Sequence, residues 1–324
     1  MKTSVLIYLL CLLNWGYGQV DYRLIDLTNP VKIVIEKDRL YISDDYKIKI
    51  FDFKDLSLLK EIGRRGEGPG EFDRSPDICI CDDKIFASTS TKVYWFNKDG
   101  ELIQEIRLPF HTLKILSVRN KYVSLEFHYH MEVNLYDEHF NKIKTLYQEP
   151  GPDPNRLNPL QNNIDFDVTD SYVFIAEPEK GLVIEVFDFN GKSLFIIEKK
   201  YHKIKLQDWY KERIFESISK NPVSEEIKKK IVFPEYFPAL SSFFIDDELL
   251  YIKTYEKEKD EFRFIVLDTK GNELKRIMLP EAISFTFKDG YYYWLVYDEK
   301  SGKYKICKKE VLIKVLDGIN YGEY

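Results

Sequence analysis

An all-β fold is predicted for this chain, a six-bladed β-propeller of four-stranded antiparallel blades carrying one helical insertion, and three observations predict it. Residues 60–109 read as one complete unit: a glycine-rich lead-in loop, then four short strands separated by turns, the last turn being Asn97-Lys98-Asp99-Gly100. The same close of a third strand recurs at Asp52, Asn97, Asp137, Asp188 and Asp268, and in degenerate form around Cys307. These anchors lie roughly 40 to 50 residues apart, with one gap of roughly 80, which is the period of a blade repeat. Composition agrees: aromatic residues are 15% of the chain, mostly Tyr and Phe, and favour a pleated, half-buried surface. Six such blades need roughly 250 to 280 residues, and the chain has 324, enough for an insertion and a leader besides.

The leader comes first. Residues 1–18 hold one early lysine, an apolar run from Val5 to Leu13 and small residues at Gly16 and Gly18, the pattern of a secretory signal peptide cleaved after Gly18. Residues 19–324 are then a single exported domain, placed in the periplasm, the cell envelope or the medium. No second apolar stretch has the length of a membrane span. Cys11 leaves with the leader, and the remaining Cys79, Cys81 and Cys307 are an odd set that makes no disulfide framework. Cys79 and Cys81, two apart on a strand, share one face and read as small buried apolar residues.

The strand of residues 22–27 has no partner in the first blade. It is expected to complete the last blade beside residues 311–316, joining the two chain ends. Within the blades, Lys47-Ile48-Lys49-Ile50-Phe51 alternates charged and apolar residues, as a half-buried strand does. Asn-Gly, Asp-Gly and Lys-Gly pairs stand where tight hairpins need positive φ.

The long gap between Asp188 and Asp268 holds the insertion, about residues 203–238. Leu206, Tyr210, Ile214 and Ile218 recur every four residues with Trp209 beside them, which predicts an amphipathic helix. Asn221-Pro222 reads as the N-cap and first position of a second helix, with Val223, Ile227 and Ile231 as its apolar stripe and Lys228–Lys230 at its C-terminal end. Such an insertion either caps an apolar patch or walls a binding site.

Residues 60–109 resemble the NHL-repeat blade, and the chain as a whole resembles the bacterial, secreted six-bladed β-propeller proteins. The most specific element is Gly66-Glu67-Gly68-Pro69-Gly70-Glu71-Phe72, followed by Pro76 and an apolar strand. The resemblance implies a structural role for Gly66, Gly68, Pro69, Gly70 and Phe72: a sharp turn between one blade's outer strand and the next blade's inner strand, with Phe72 as a plug. A partial copy follows at Glu149-Pro150-Gly151-Pro152-Asp153.

In a propeller the lead-in loops and the turns between second and third strands share the face that usually carries ligands. Arg65, Arg74 and Arg156 fall in lead-in loops, and arginine forks suit carboxylate or sulfate; salt bridging at the surface is their ordinary use. Glu126, His128, His130 and Glu132 alternate through one segment and would share a face if no turn interrupted it, a ligand set for a metal only if three or more groups converge. With Trp209 and His128, these arginines are the candidate binding residues. No nucleophile elbow, zinc-protease helix, P-loop or dinucleotide fingerprint is present. Forty-eight basic and 54 acidic residues in mixed order argue against a nucleic-acid partner. The reading is an exported non-catalytic binding propeller for a protein, peptide or glycan, with no cofactor predicted. The alternatives are a metal-dependent, lactonase-like hydrolase or lyase working at the central channel, where a divalent ion would sit, and a structural part of an envelope assembly.

Overall fold

The structure, a computed structural model, describes residues 24–311 apart from 82, 152, 161–163, 220–223, 247 and 283. The leader and the Asn221-Pro222 cap lie outside the described residues. A two-residue strand, β1 (Leu24–Ile25), comes first. Blade 1 is β2 (Pro30–Glu36), β3 (Arg39–Asp44), β4 (Lys47–Asp52) and β5 (Leu58–Ile62). Blade 2 is β6 (Asp77–Cys81), β7 (Lys84–Ser88), β8 (Lys92–Phe96) and β9 (Leu102–Arg107). Blade 3 is β10 (Thr112–Val118), β11 (Lys121–Phe127), β12 (His130–Tyr136) and β13 (Lys142–Pro150). Blade 4 is β14 (Asp165–Val168), β15 (Val173–Ala176), β16 (Leu182–Phe187) and β17 (Ser193–Lys199). Helices α1 (Asp208–Ser219) and α2 (Ser224–Lys230) follow, then blade 5: β18 (Ser242–Asp246), β19 (Leu249–Glu258), β20 (Glu261–Asp268) and β21 (Glu273–Pro280). Blade 6 is β22 (Phe285–Lys288), β23 (Tyr291–Asp298), β24 (Lys303–Glu310) and, as its fourth strand, β1. The fold is thus a six-bladed β-propeller of four-stranded antiparallel blades, with the helical insertion between blades 4 and 5.

The recurring anchor has a physical cause. Asp52, Asn97, Asp137, Asp188 and Asp268 each turn a side-chain oxygen back onto backbone N–H groups two to four residues on, as in the pairs Asp188 with Asn190 and Lys192, both 2.8 Å. This Asx turn satisfies the donors that a hairpin leaves exposed. It also holds the Asp137 and Asp188 carboxyls below their ordinary range, through the bonds from Asn141 and Lys192 respectively. The left-handed position that ends the turn is glycine in blades 2, 4 and 5, but Leu56 (φ 58°) in blade 1 and Phe140 (φ 60°) in blade 3.

The chain divides into two compact units: blades 1 and 6 with most of the glycine-rich loop in one, blades 2 to 5 in the other. In the first, Ile25, Leu27, Ile33, Leu40, Phe51, Tyr293, Leu295 and Ile306 make one buried cluster. The terminal strand joins it as expected, but its partner is different. Leu24 and Ile25 pair with Lys305 and Tyr304 of β24, N-terminal to the residues 311–316 expected as their partner. β24 ends at Glu310, and the Val311 N–H that follows bonds to the Gly290 carbonyl at 2.7 Å; residues 312–316 lie outside the described residues. Asp44, 2% exposed, locks the approach to blade 1: its carboxylate accepts the N–H groups of Thr28 and Asn29 and pairs with Lys49 at 2.9 Å. Replacing Asp44 by Ala strands the two backbone donors and leaves the Lys49 ammonium only the Asp26 carbonyl and Glu61, and the expected cost is about 2–4 kcal/mol, read as a lower denaturation midpoint at unchanged m-value.

In the second unit the buried clusters alternate with the blades: one between blades 2 and 3, one between 3 and 4, one between 4 and 5. Cys79 and Cys81 border the first of these as free thiols, Sγ atoms 3.5 Å apart, the Cys81 thiol donating to the Ser117 carbonyl. The inner strands are stapled by charge. Lys114 of β10 pairs with Asp165 of β14 at 2.8 Å; Asp165 and Asp167 in turn accept the backbone N–H groups of Phe243 and Ile245 on β18. Burial opposes the Lys114 charge, but the two aspartates outweigh it and raise its pKa, while burial also pushes Asp167 upward.

Candidate binding cleft beside the insertion

The insertion folds into its own small core before it does anything else. Leu206, Phe237, Tyr255 and Leu160 are buried together, with Trp209, Tyr210, Ile204 and Phe233 packed around them, and Phe237 stacks on Tyr255 of blade 5 at 4.3 Å. Helix α1 has no fully buried residue, so backbone ladders and ion pairs hold the segment down. Leu206 N–H bonds to the Glu235 carbonyl and Phe237 N–H to Ile204; Arg213 of α1 reaches Glu281 at 2.7 Å. The loop leading into blade 4 is drawn in as well, since Leu157 bridges Ile231 and exchanges hydrogen bonds with Lys230 and Val232.

Where the insertion leaves blade 4 it roofs a cleft of about 240 Å³. Leu182, Ala239 and Ile265 make the apolar floor. Tyr201 and Ile204 stand as one wall, the Tyr201 ring lying against Gly181, whose φ of 116° is open to glycine. Lys200, His202, Thr254, Glu256 and Arg276 supply the polar groups. They differ in readiness. Glu256 is held by Arg263 at 2.6 Å, Thr254 donates to the Arg263 carbonyl, and Arg276 grips Glu273 through Nε at 2.7 Å and one Nη at 3.2 Å, leaving its other Nη facing outward from that pair. This bond is the chief cause that holds the Glu273 carboxyl below its ordinary range and pushes the Arg276 guanidinium up. Tyr201 hydroxyl, Lys200 and His202 make no hydrogen bond or ion pair among the described residues. An aromatic wall, an apolar floor and a set of polar groups beside them are the composition of a small-ligand site.

The residues singled out from the sequence are placed as follows. Arg65 is exposed, its guanidinium 5.1 Å from the centre of the Tyr46 ring, and its backbone bridges Phe72. Arg74 and Arg156 are exposed on loops. In the glycine-rich loop, Gly66 N–H bonds to the Phe72 carbonyl, and a Cβ there would overlap the Glu71 carboxylate that Arg64 grips. Gly70 (φ 70°) donates to Glu105, Gly68 and Pro69 lie in the turn between, and Phe72 is fully buried. Trp209 belongs to the core of the insertion, its indole N–H on Gln207 and Lys257 over its ring at 5.0 Å. His128 sits at the β11–β12 turn, where its N–H bonds to the His130 carbonyl. That turn interrupts the alternation, and beyond it Tyr129 projects with 92% exposure.

Behind the turn is a buried polar network. Glu126, 1% exposed, accepts the Ser124 and Tyr136 hydroxyls on Oε1, and its Oε2 lies 3.4 Å from His128 Nε2. Directly across the ladder, Glu132 accepts from Asn134 and Lys142. Burial, then the bond to Glu126, drives the Tyr136 hydroxyl far above its ordinary pKa, so it is a fixed donor. Among the described residues no three His, Cys, Asp or Glu side chains converge to hold a metal ion, and no helix is long and apolar enough to cross a membrane.

Comparison with known proteins adds one family. The model of the family described as "6-bladed beta-propeller" matches residues 24–289. No curated protein matches the chain. Solved structures with a similar fold include the computationally designed Ika8 protein (10% identity, TM-score 0.44, 89% of this chain and 100% of that one), BamB from Moraxella catarrhalis (8%, 0.36, 86% and 71%) and the Pan2 WD40 domain of Neurospora crassa (12%, 0.41, 87% and 91%).

Proposed function

The chain belongs to the six-bladed β-propeller family, and from that premise we propose that it is an exported, non-catalytic binding protein whose ligand, a glycan or a peptide, occupies the cleft between blades 4 and 5. One observation carries the reading: the connection that leaves blade 4 and runs into the insertion supplies Lys200, Tyr201, His202 and Ile204 to a cleft whose other polar groups, Thr254, Glu256 and Arg276, come from blade 5, so the site is built where the repeat is broken. A ring wall with planar polar groups beside it suits a sugar or a peptide backbone, which offers hydroxyls or amides at its edge and a flat apolar face. Export rests on the leader pattern of residues 1–18.

The test is a glycan and peptide panel presented to residues 19–324, with the Tyr201→Ala/His202→Ala variant in parallel. A ligand of the wild type should lose at least tenfold in affinity in the variant; because Tyr201 packs against the buried cluster between blades 4 and 5, the single variant His202→Ala, at an exposed side chain, is run beside it and should weaken binding with the melt unchanged. A ligand that binds both proteins equally would place the site elsewhere. Turnover of lactones or esters that depends on an added divalent ion and survives in the variant would replace this reading by the hydrolase one.

A further inference from the structure

We propose that the contact between blades 1 and 6 holds a second binding site, for a short amphiphilic carboxylate such as a medium-chain fatty acid. A pocket of about 220 Å³ opens there, walled by Phe53, Leu56, Tyr293, Ile306 and Cys307, and its two remaining lining residues are Lys54 and Lys308. All of the charge on the lining is therefore positive, and it is carried on long, partly apolar stems. The Lys308 ammonium stands 5.5 Å from the Tyr291 ring centre, which fixes its side of the mouth. Phe53 meets Tyr293 edge to face at 5.5 Å and keeps the two blades apart at that depth. Burial raises the Cys307 pKa, so the thiol is a neutral, apolar part of the wall.

Leu56 argues that the gap is kept. It holds the left-handed position that blades 2, 4 and 5 give to glycine, a conformation that a bulky residue adopts only at a cost in strain. Phe140 bears the same strain in blade 3, but there the side chain is buried and stacked on Tyr122 at 4.1 Å, so its own gap is filled. Leu56 packs one side against the buried cluster of blades 1 and 6, stays half-buried, and lines the pocket with the rest of its surface. The volume equals about seven waters of liquid, room for a short alkyl chain. An alkane has nothing to match the positive lining, and a bare inorganic anion would leave the apolar walls unfilled; a chain with a carboxylate head meets both.

The experiment is calorimetric titration of residues 19–324 with butanoate, hexanoate, octanoate and octan-1-ol, alongside iodoacetamide labelling of Cys307 read by peptide mass spectrometry. Affinity should rise about fourfold per added methylene, the transfer preference of a buried CH₂, and octanoate should slow labelling of Cys307 without slowing Cys79 or Cys81. The exposed-head variant Lys54→Ala/Lys308→Ala should lose the preference for octanoate over octanol while still melting as the wild type does, and Cys307→Phe should abolish binding of both. A flat chain-length series, unprotected Cys307, or octanoate binding that survives both variants overturns the proposal.

Discussion

A chain beginning at residue 30 is expected to melt at least 6 °C below one beginning at residue 19, or to fail to fold. The deleted segment supplies the fourth strand of blade 6, and it buries Ile25 (2% exposed) and Leu27 (6%) in the cluster that joins blades 6 and 1. Each side chain is worth about 1.5–3 kcal/mol when fully buried, so about 3–6 kcal/mol is at stake against a net stability of about 5–15 kcal/mol. At about 2–4 °C per kcal/mol for a chain of this order of size, the loss is easily measured. Deletion also bares the edge of β24 to other chains. Single substitutions locate the effect. Ile25→Ala should cost about 2–5 kcal/mol, whereas Leu24→Ala, one residue away and 44% exposed, should cost under about 0.5 kcal/mol. Equal effects at the two positions would mean that the register of β1 on β24 is not the one described.

Replacing Glu126 by Ala should be nearly as costly, about 2–6 kcal/mol. The carboxylate is the shared acceptor of two buried hydroxyls, Ser124 (0% exposed) and Tyr136 (3%). Removing it leaves both donors without a partner in a site closed to bulk water, at about 1–3 kcal/mol each. Tyr136 cannot relieve the loss by turning outward, since its ring stacks on Phe110 at 4.7 Å. Glu126→Gln keeps an amide oxygen in the same place and should retain most of the stability. The pair is compared by urea denaturation; a glutamine variant as unstable as the alanine one would show that charge, rather than the acceptor, is what the network needs.

Much of the fold was legible because its turns are written locally. Asp52, Asn97, Asp137, Asp188 and Asp268 each close a hairpin through their own side chains, so the blade rhythm survives without any long-range information. The helical insertion was visible for the same reason: four-residue spacing needs no partner to be seen. What long-range pairing decides was harder to read. The partner of the first strand was misplaced because β24, which ends at Glu310, bears no Asx anchor to mark where blade 6 turns. The cleft was not visible at all. Its lining runs from Leu182 to Arg276 on two blades and the connection between them, and no single stretch carries a pattern. The sole hint was that Tyr201 and His202 stand beside the insertion. Conversely, Trp209 drew notice as a large aromatic residue, yet its surroundings are the aromatic cluster of the insertion.

The short ladder from Leu157 to Lys230 and Val232 bears on how this half of the molecule comes apart. The loop that brings the chain into blade 4 is tied to the loop that carries it away, so blade 4 is clasped at its two ends like a buckled strap. Peeling off its outer strand, the ordinary first step of fraying in a repeat array, would not release the chain, because the clasp still closes the intervening segment on itself. Blade 4 and the insertion should therefore open as one cooperative unit, and the roof of the cleft inherits the kinetic protection of the blade beneath it.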